Sequence, residues 1–369
     1  MKSLLAIDLP LGPSLEAALH DCVDEAQAFC LLDQRLSRSR RAEQLGLLGA
    51  TAVLDSTGRT PLLGGAMVDD DIGLVMLTSG SSGIPKAAMH TWDALAASAR
   101  ITQATLRAGS APVWFATLPA NHIGGLAVLL RAVLDDATLL WDDTASVGTA
   151  AQRGATHVAV VRAHLLRHDV SGYHSVLLGG ARPPNELGVN VITTWGMTET
   201  GSGVVYDGLP LEGVELASID GELCVRTPTL FHAYRDSVRP RILGPDGRDD
   251  WFPTGDAGVL RDGRLTVRGR LAFVINTGGE KVWPEDLEAA LGSVTGVRDV
   301  AITAADDPEW GQRVVALVVG DGTSLDAALN EAASERIGPW AKPKEIRYVA
   351  AIPRTTHGKI RRRDLPHLH

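Results

Sequence analysis

Residues 78–86 bring hydroxyls, glycines and a lysine together in one short loop. Its polar and glycine members are Thr78, Ser79, Gly80, Ser81, Ser82, Gly83 and Lys86. Glycines let the backbone turn tightly and bring N–H groups close to an anion, while the hydroxyls and the ammonium group add donors and positive charge. The apolar run at 72–77 predicts a buried strand that leads into this loop. The pattern therefore predicts a polyphosphate site and disfavours an ordinary glycine-serine turn.

The spacing excludes a P-loop of the kinase and ATPase type. That motif has two glycines separated by four residues, and Lys and Ser or Thr directly follow the second glycine, so that a helix N-terminus caps the phosphate. Here two residues separate Gly80 from Gly83, Pro85 precedes Lys86, and Ala87 follows it. The hydroxyl that a P-loop places on magnesium is therefore missing.

Two further segments carry oxygens suited to a nucleotide. In TTWGMTETGSG, Thr198 and Glu199 follow the strand-like run 189–192, which predicts that they lie at a strand's carboxyl end, where open α/β sheets bind ligands. A lone Thr-Glu pair is otherwise common at a solvated helix start. In DDWFPTGDAG, Asp256 offers two acceptor oxygens, although an aspartate in such a turn is often only a turn former.

Taken in order, these segments resemble the motifs of the adenylate-forming superfamily, which includes acyl-CoA synthetases, luciferases and nonribosomal adenylation domains. The usual phosphate loop of that family is T-S-G-T-T-G-x-P-K-G. This chain has Ser81 and Ser82 in place of two threonines, which keeps the hydroxyls, and Ala87 in place of the last glycine. The resemblance extends over most of residues 70–365.

The resemblance implies a role for each nucleotide-binding position. The loop would hold the phosphates of ATP, Thr198 would contact the adenylate phosphate, and Glu199 would hold Mg²⁺. Asp256 and Arg270 would bind the ribose hydroxyls. Three positions in LLGGARP would edge the adenine and acyl pocket; these are Gly179, Gly180 and Ala181.

The same resemblance assigns roles to the C-terminal segments. Lys359, in PRTTHGKIRRRDL, would bridge the substrate carboxylate and the α-phosphate, where its charge offsets charge that develops in the transition state. Gly278 and Gly279 would approach the thiol of CoA. The neighbouring Arg361, Arg362 and Arg363 are expected to form a solvated basic tail, as such charge runs commonly do.

The stretch TLPANHIGGLAVLLRAVL indicates the acyl substrate. His122 lies where the family has a gate beside the carboxylate, although a histidine before an apolar helix is more often a structural cap. Arg131 lies within that apolar helix, so it is either at a surface edge or paired with a buried anion. This stretch resembles the o-succinylbenzoate–CoA ligases of menaquinone synthesis, in particular the compact actinobacterial type. Their substrate has two carboxylates, and Arg131 is a reasonable partner for the one that is not activated.

The elements that position these groups predict an α/β protein in two domains. Strands alternate with amphipathic helices from about residue 70 to 200, and short β-like runs follow between 209 and 270. Beyond 270 the pattern is α+β, with helices at 284–291 and 324–335 and strands at 297–303 and 314–319. We therefore predict a large domain with parallel-rich sheets and a small β subdomain at 1–270, with a trimmed N-terminus, and a small mobile C-terminal domain at 271–369. The family hinge falls at 270–276, where Ala272 replaces a polar residue.

Composition narrows the class of protein. A net charge of −9 argues against nucleic acid or an anionic membrane surface as the main partner. Asp8 and Pro10 cut the N-terminal apolar run short of a signal peptide or membrane span. The three cysteines have no metal-like spacing. We expect a cytoplasmic enzyme, with no membrane insertion, that acts on a small carboxylic acid, ATP and CoA. A homodimer is compatible with these features.

Two alternatives stay open at this point. The first keeps the chemistry but changes the acceptor: an adenylation enzyme that loads an aryl or amino acid onto a carrier protein. The second is a non-catalytic adenylate-binding protein, which the altered hinge suggests. The presence of both Lys359 and Glu199 argues against the second, because a pure binder has little need of an adenylation lysine.

Overall fold

A computed structural model of the chain describes residues 1–78, 85–106, 111–180, 182–184, 186–320, 325–354 and 359–365. These residues form two compact units. The first comprises the described residues of Met1–Leu216 and Val225–Phe252, and the second those of Ala217–Cys224 and from Pro253 onward. The predicted hinge at 270–276 lies inside the second unit. Because compactness does not report motion, the hinge stays a prediction.

The helices and strands of the described residues run as follows. The helices are α1 (Pro13–Asp24), α2 (Arg38–Leu48), α3 (Trp92–Leu106), α4 (Ile123–Asp135), α5 (Arg162–Leu165), α6 (Pro284–Gly292) and α7 (Asp326–Arg336). The strands up to residue 206 are β1 (Leu4–Ile7), β2 (Ala28–Leu31), β3 (Ala52–Asp55), β4 (Gly58–Pro61), β5 (Ile72–Thr78), β6 (Lys86–Thr91), β7 (Val113–Phe115), β8 (Thr138–Leu140), β9 (His157–Val160), β10 (Ser175–Leu178), β11 (Val191–Met197) and β12 (Ser202–Tyr206). The later strands are β13 (Leu209–Pro210), β14 (Glu215–Ile219), β15 (Glu222–Arg226), β16 (Ala233–Tyr234), β17 (Phe252–Pro253), β18 (Asp256–Arg261), β19 (Arg264–Arg270), β20 (Ile275–Thr277), β21 (Glu280–Val282), β22 (Val297–Asp307), β23 (Gly311–Gly320) and β24 (Glu345–Tyr348).

Two mixed sheets form the first unit. In the first sheet the order is β16-β6-β5-β2-β1-β3-β4, with β1, β2, β3 and β5 parallel and β6 antiparallel to β5. In the second the order is β13-β12-β11-β10-β9-β7-β8, and its strands from β7 to β11 are parallel. Parallel strands buried on both faces read as apolar runs, which is why the sequence indicated them.

Helices α3 and α4 lie between these sheets. Helix α3 packs against β5 and β6, α4 packs against β8, β9 and β12, and the two helices pack against each other. Helix α4 has apolar residues on nearly all of its faces. This agrees with the burial of every residue from Gly125 to Ala132. The carboxyl ends of β5, β10 and β11 thus belong to two sheets that pack on this helix pair.

The second unit has an α+β C-terminal part. Its sheet has the order β21-β20-β23-β22, with β24 parallel to β23, and α6 packs on β22. Leu287, Leu291, Val314, Ala316 and Leu329 are in its core. Helix α6 begins at Pro284 with Trp283 as N-cap, and Pro at the first helical position has no N–H to leave unpaired.

The architecture confirms the predicted α/β class. The strand predicted at 72–77 is β5, and the helix predicted at 284–291 is α6. Strands β22 and β23 extend several residues beyond their predicted ends, because they form one long antiparallel hairpin whose ladder continues to Asp307 and Gly311. Pairing partners of this kind do not appear in a local apolar pattern.

Candidate functional site

The described ends of the phosphate loop lie directly opposite each other. Thr78, the last residue of β5, pairs with Lys86, the first residue of β6. Thr78 is half-buried and Lys86 is exposed. The positions predicted between them lie outside the described residues; these are Ser79, Gly80, Ser81, Ser82 and Gly83. The hairpin therefore brings one predicted phosphate ligand from each strand to the same end of the sheet.

Thr198 and Glu199 lie at the carboxyl end of β11, as predicted. They form a single 3-10 turn with Thr200, whose hydroxyl accepts a hydrogen bond from the Met197 N–H at 2.8 Å. Gly196, at the end of the strand, approaches the chain so closely that an added Cβ would lie 2.0 Å from the Ser202 carbonyl oxygen. Both Thr198 and Glu199 are half-buried, so the turn presents them from a fixed backbone.

Tyr234 connects this turn to the phosphate loop. Its hydroxyl donates a hydrogen bond to Glu199 Oε1 at 2.9 Å, and the Lys86 ammonium group lies 4.8 Å from the centre of its ring. Strand β16, which carries Tyr234, pairs with β6 opposite Ala88. Sequence reasoning missed Tyr234, and its only signal was the aromatic run FHAY at 231–234.

Gly179 and Gly180 directly follow β10, as the resemblance implied. The backbone of Gly180 has φ +86°, a left-handed conformation that glycine adopts without strain. A Cβ on Gly179 would lie 2.9 Å from the Thr194 hydroxyl on the next strand, β11. Ala181 lies outside the described residues. The two glycines thus let the chain pass close to the neighbouring strand at the carboxyl end of the second sheet.

Arg131 is buried without a hydrogen-bonded anion. Its residue surface is 3% exposed, and among the described residues its Nε and Nη1 atoms have no hydrogen-bond partner. The guanidinium lies 4.4 Å from the ring centre of Trp114, a cation–π contact that offsets part of the cost of burial. Of the two predicted placements, the surface edge is therefore wrong, and the guanidinium keeps donors for a buried anion.

The groups around Arg131 are neutral. Burial raises the pKa of Tyr206, whose hydroxyl lies 3.2 Å from that of Thr102, and the charge of Arg131 opposes that shift. Burial also lowers the pKa of His157, and the charges of His174 and Arg131 lower it further. Burial lowers the pKa of Arg131 itself, but an arginine side chain stays charged in proteins. The cluster therefore carries positive charge in an apolar setting.

His122 lies at the N-cap position of α4, but its side chain makes no capping hydrogen bond. It is exposed, and its Nε2 lies 3.2 Å from Nη2 of Arg35, which forms an ion pair with Asp33 at 2.7 Å. A cavity of about 230 Å³ opens beside this pair, with lining residues that include Leu9, Leu15, Leu31, Asp33, Arg35 and Asn121. The predicted catalytic role of His122 stays a prediction.

In the second unit, Asp256 and Arg270 face each other at the open end of the β18–β19 hairpin. They are directly paired in register, and they form an ion pair in which Arg270 Nε lies 2.8 Å from Asp256 Oδ1. Arg270 Nη1 also donates to the Thr254 carbonyl at 2.8 Å. The Asp256 side chain is 11% exposed and that of Arg270 is 42% exposed. A buried carboxylate is thus oriented by an arginine that itself remains accessible.

Lys359 shares the electrostatic environment of this pair. Removal of water by the surrounding protein is the largest effect, and it lowers the pKa of the Lys359 amine. The charge of Arg270 lowers this pKa further, and the charge of Asp256 opposes the shift. The residue is nevertheless exposed to solvent. The structure therefore brings together three residues that the sequence separates by up to 103 positions.

Gly278 and Gly279 form an exposed two-residue turn between β20 and β21. Both have positive φ, +59° and +86°, which is the requirement of a type I′ hairpin turn. A Cβ on Gly278 would lie 2.4 Å from the Trp310 ring, whereas Gly279 has open space beside it. The turn therefore needs glycine at Gly278 for two reasons, and Gly279 leaves room for a ligand.

The prediction of a solvated arginine tail is wrong for Arg362. Its side chain is 11% exposed and forms ion pairs with Glu285 at 3.0 Å and Glu288 at 2.9 Å. Arg361 does match the prediction, because its side chain is 54% exposed. The two residues differ because helix α6 places its glutamates opposite only one of them.

The carboxylates of the described residues suit magnesium held together with phosphates. Among them, no group of three or more His, Cys, Asp or Glu side chains could hold a metal ion alone. Mg²⁺ usually binds one or two carboxylates together with substrate phosphates, and Glu199 beside the phosphate loop offers one such carboxylate.

No helix of the described residues is long and apolar enough to cross a membrane.

Comparisons with known proteins agree with this geometry. The family model described as "AMP-binding enzyme" matches residues 10–235, and that described as "AMP-binding enzyme C-terminal domain" matches residues 286–359. A protein of Mycobacterium tuberculosis named "Probable 2-succinylbenzoate–CoA ligase" is 37% identical over 332 residues, which cover 82% of this chain and 85% of that protein.

Two solved structures of o-succinylbenzoate CoA synthetase from Bacillus subtilis are similar in fold. One, in complex with the acyl-adenylate intermediate, has a TM-score of 0.83 and 25% identity, covering 100% of this chain and 88% of that one. The other, in complex with ATP and magnesium ion, has a TM-score of 0.83 and 24% identity, covering 98% of this chain and 89% of that one.

Proposed function

Because the chain belongs to the AMP-binding enzyme family, we propose that it is an ATP-dependent acid–CoA ligase that converts 2-succinylbenzoate into its CoA thioester in menaquinone biosynthesis. The substrates ATP and CoA agree with the cytoplasmic location that the sequence predicts, and the homodimer stays a prediction.

The observation that supports this substrate is the buried cation at Arg131. An acid with two carboxylates needs one to react and one to be recognised. Arg131 has buried donors without partners among the described residues, and Trp114 covers one face of its guanidinium. A carboxylate that accepted from those donors would satisfy them and neutralise the charge, which an apolar acyl chain would not do.

In the first half-reaction, a carboxylate oxygen of the acid attacks the α-phosphorus of ATP. A new P–O bond forms, the bond from the α-phosphorus to the bridging oxygen breaks, and pyrophosphate leaves. Lys359 offsets negative charge at the carboxylate and α-phosphate, and Asp256 and Arg270 hold the ribose. Thr78 and Lys86 bind phosphate oxygens, and Thr198 orients the α-phosphate.

Glu199 is the residue that would hold Mg²⁺, with Tyr234 fixing its carboxylate. A bound Mg²⁺ supplies positive charge that neutralises the polyphosphate.

In the second half-reaction, the thiol sulfur of CoA attacks the acyl carbon of the adenylate. A C–S bond forms, the bond to the phosphate oxygen breaks, AMP leaves, and the thiol proton passes to solvent. Adenylate is a much better leaving group than the oxide of a free carboxylate, which is why the first half-reaction is needed. The Gly278–Gly279 turn is the proposed approach for the thiol, and the hinge at 270–276 the proposed point of rearrangement between the half-reactions.

The test is ATP- and CoA-dependent thioester formation with 2-succinylbenzoate and with two analogues, each of which lacks one of its carboxylates. We expect one analogue to be inert and the other to react slowly. Loss of a hydrogen-bonded charge pair of about 1.5–3 kcal/mol corresponds to roughly a 10- to 150-fold lower kcat/KM. In Arg131→Met, the preference for 2-succinylbenzoate over the reactive analogue should disappear while the KM for ATP is unchanged.

Other outcomes would change the proposal in defined ways. Efficient turnover of a monocarboxylic acid that Arg131→Met leaves unaffected would overturn the substrate and keep the chemistry. Adenylate formation without thioester would indicate a carrier protein as acceptor. Absence of pyrophosphate release with every acid would contradict the enzyme itself.

A further inference from the structure

The segment that carries Lys359 is attached to the second unit on both sides of the lysine. Ile360 packs on a cluster that includes Ile352 and Leu365. The Arg361 N–H donates to the Pro353 carbonyl at 2.8 Å. These contacts, with the Arg354–Ile360 bridge and the ion pair between Arg354 and Asp299 at 2.6 Å, hold the backbone next to Lys359 on the C-terminal sheet, and side chains that follow the lysine attach it further.

Arg362 makes the strongest of those attachments. Its Nη1 and Nη2 donate to Glu288 Oε1 and Oε2 at 2.9 and 3.0 Å, so the guanidinium and carboxylate form a bidentate pair. Nη2 also donates to Glu285 at 3.0 Å, and Nη1 to the Ile302 carbonyl at 2.9 Å. The ring of Phe273 lies 5.4 Å from the guanidinium carbon. Five contacts from three separate segments therefore converge on one buried side chain.

The same network reaches the strand that carries Arg270. Glu285 lies so close to Gly269 that a Cβ added there would be 2.3 Å from its Oε2. Gly269 directly precedes Arg270, which pairs with Asp256. One carboxylate thus contacts both the anchor of the Lys359 segment and the backbone next to Arg270.

We propose that Arg362 is a positioning residue for the first half-reaction: it sets the place of Lys359 relative to Arg270 and Asp256. This inference rests on the proposed function. Arg362 itself would touch neither ATP nor the acid. It acts through the segment it anchors, so its loss would impair adenylation and spare the thioester step, in which Lys359 has no part.

The geometry requires arginine rather than any cation. A planar guanidinium spans both oxygens of Glu288 and still reaches Glu285, whereas a lysine ammonium is a single point charge. Lysine at 362 would keep the positive charge but lose the planar fork that binds both carboxylates. Because a displacement of about 1 Å at a reacting group can lower a rate roughly 100-fold, we expect roughly a 10- to 100-fold effect.

The experiment measures the two half-reactions separately in the full chain. Pyrophosphate release with ATP and 2-succinylbenzoate reports the first, and thioester formation from CoA and chemically prepared 2-succinylbenzoyl-adenylate reports the second. Arg362→Lys and Arg362→Met are compared with Arg361→Met, a neighbouring arginine whose side chain is 54% exposed. We expect both Arg362 variants to lose roughly 10- to 100-fold in the first assay and less than about 3-fold in the second. Arg361→Met should change neither.

The ratio of the two rates decides the inference. A merely structural role would lower both half-reactions alike or neither, and either result would overturn it. If Arg362→Met does not fold, the same ratio of the two half-reaction rates is measured for Arg362→Lys and Glu288→Gln. A wild-type chain that releases no pyrophosphate would instead contradict the proposed function, so the two failures are distinct.

Discussion

Arg270 and Asp256 form an ion pair, with Nε 2.8 Å from Oδ1, at the point where the first and last residues of one hairpin meet. The pairing register alone makes these residues neighbours. The Thr254 carbonyl also accepts a hydrogen bond from Arg270 Nη1 at 2.8 Å, so two contacts restrain the guanidinium. A preorganised carboxylate of this kind suits two adjacent hydroxyls, as a ribose presents.

Replacement of Asp256 should therefore remove discrimination among ribose hydroxyls. We expect wild type to prefer ATP over 2′-deoxy-ATP and 3′-deoxy-ATP, because each hydrogen bond to a charged acceptor contributes about 1.5–3 kcal/mol. In Asp256→Ala the KM for ATP should rise most, because ATP loses two hydrogen bonds. Each deoxynucleotide loses only the one that it retains, so the three KM values should converge. Steady-state kinetics with the three nucleotides measures this. Equal penalties for all three would contradict the ribose assignment.

Lys359 should give the first half-reaction an alkaline limit below the ordinary lysine value. The protonated amine is the form that offsets charge, so the rate falls as pH rises through its pKa. That pKa is lowered by surrounding protein and by Arg270, while Asp256 opposes the shift. The pH at which the rate falls should therefore be lower in Asp256→Asn and higher in Arg270→Met than in wild type. The measurement is the rate of pyrophosphate release as a function of pH. Lys359→Ala should still bind ATP but should lose the activity that falls at alkaline pH. An identical profile in all variants would refute the assignment.

The Tyr234 hydroxyl should influence magnesium dependence. It donates to Glu199 at 2.9 Å, and removal of a hydrogen bond of this kind should raise the Mg²⁺ concentration for half-maximal activity roughly 3- to 10-fold. Tyr234→Phe tests this without disturbing Lys86, because the phenyl ring keeps the face on which the ammonium group rests. Titration with Mg²⁺ at saturating ATP is the measurement. An unchanged midpoint would mean that the hydroxyl does not orient the metal ligand.

His90 should make the protein less stable in mild acid. It is fully buried on β6, and burial lowers its pKa to about 4. Below an unfolded-state value of about 6.5 the unfolded chain binds a proton that the folded chain does not, so stability falls as pH drops from about 6.5 to 4. The full difference corresponds to about 3 kcal/mol of unfolding free energy.

Urea unfolding at pH 7 and pH 4.5 measures this contribution. His90→Gln should lose less stability between the two values than wild type, and exposed His232→Gln should match wild type. Equal losses in His90→Gln and wild type would show that His90 does not titrate differently in the two states.

Local signals in the sequence were sufficient for the strand ends and their loops. The apolar run of β5 followed by hydroxyls and glycines, and the position of Thr198 after β11, depend on residues adjacent in the chain. The same holds for the Gly278–Gly279 turn, because glycine preference at positive φ is a property of the residue itself. Such features depend on a few consecutive residues and can therefore be predicted from the sequence.

The tertiary structure alone decided which charged groups are buried. Arg361 and Arg362 are identical in type and adjacent, yet only Arg362 meets Glu288, which is 74 positions away. Tyr234 reaches Glu199 across 35 positions, and Arg131 is set against Trp114 by the packing of a helix on a strand. The free-energy cost of removing a charge from water depends on the partners that the fold brings to it. Those partners are distant in the sequence, so the neighbours of a residue along the chain do not identify them.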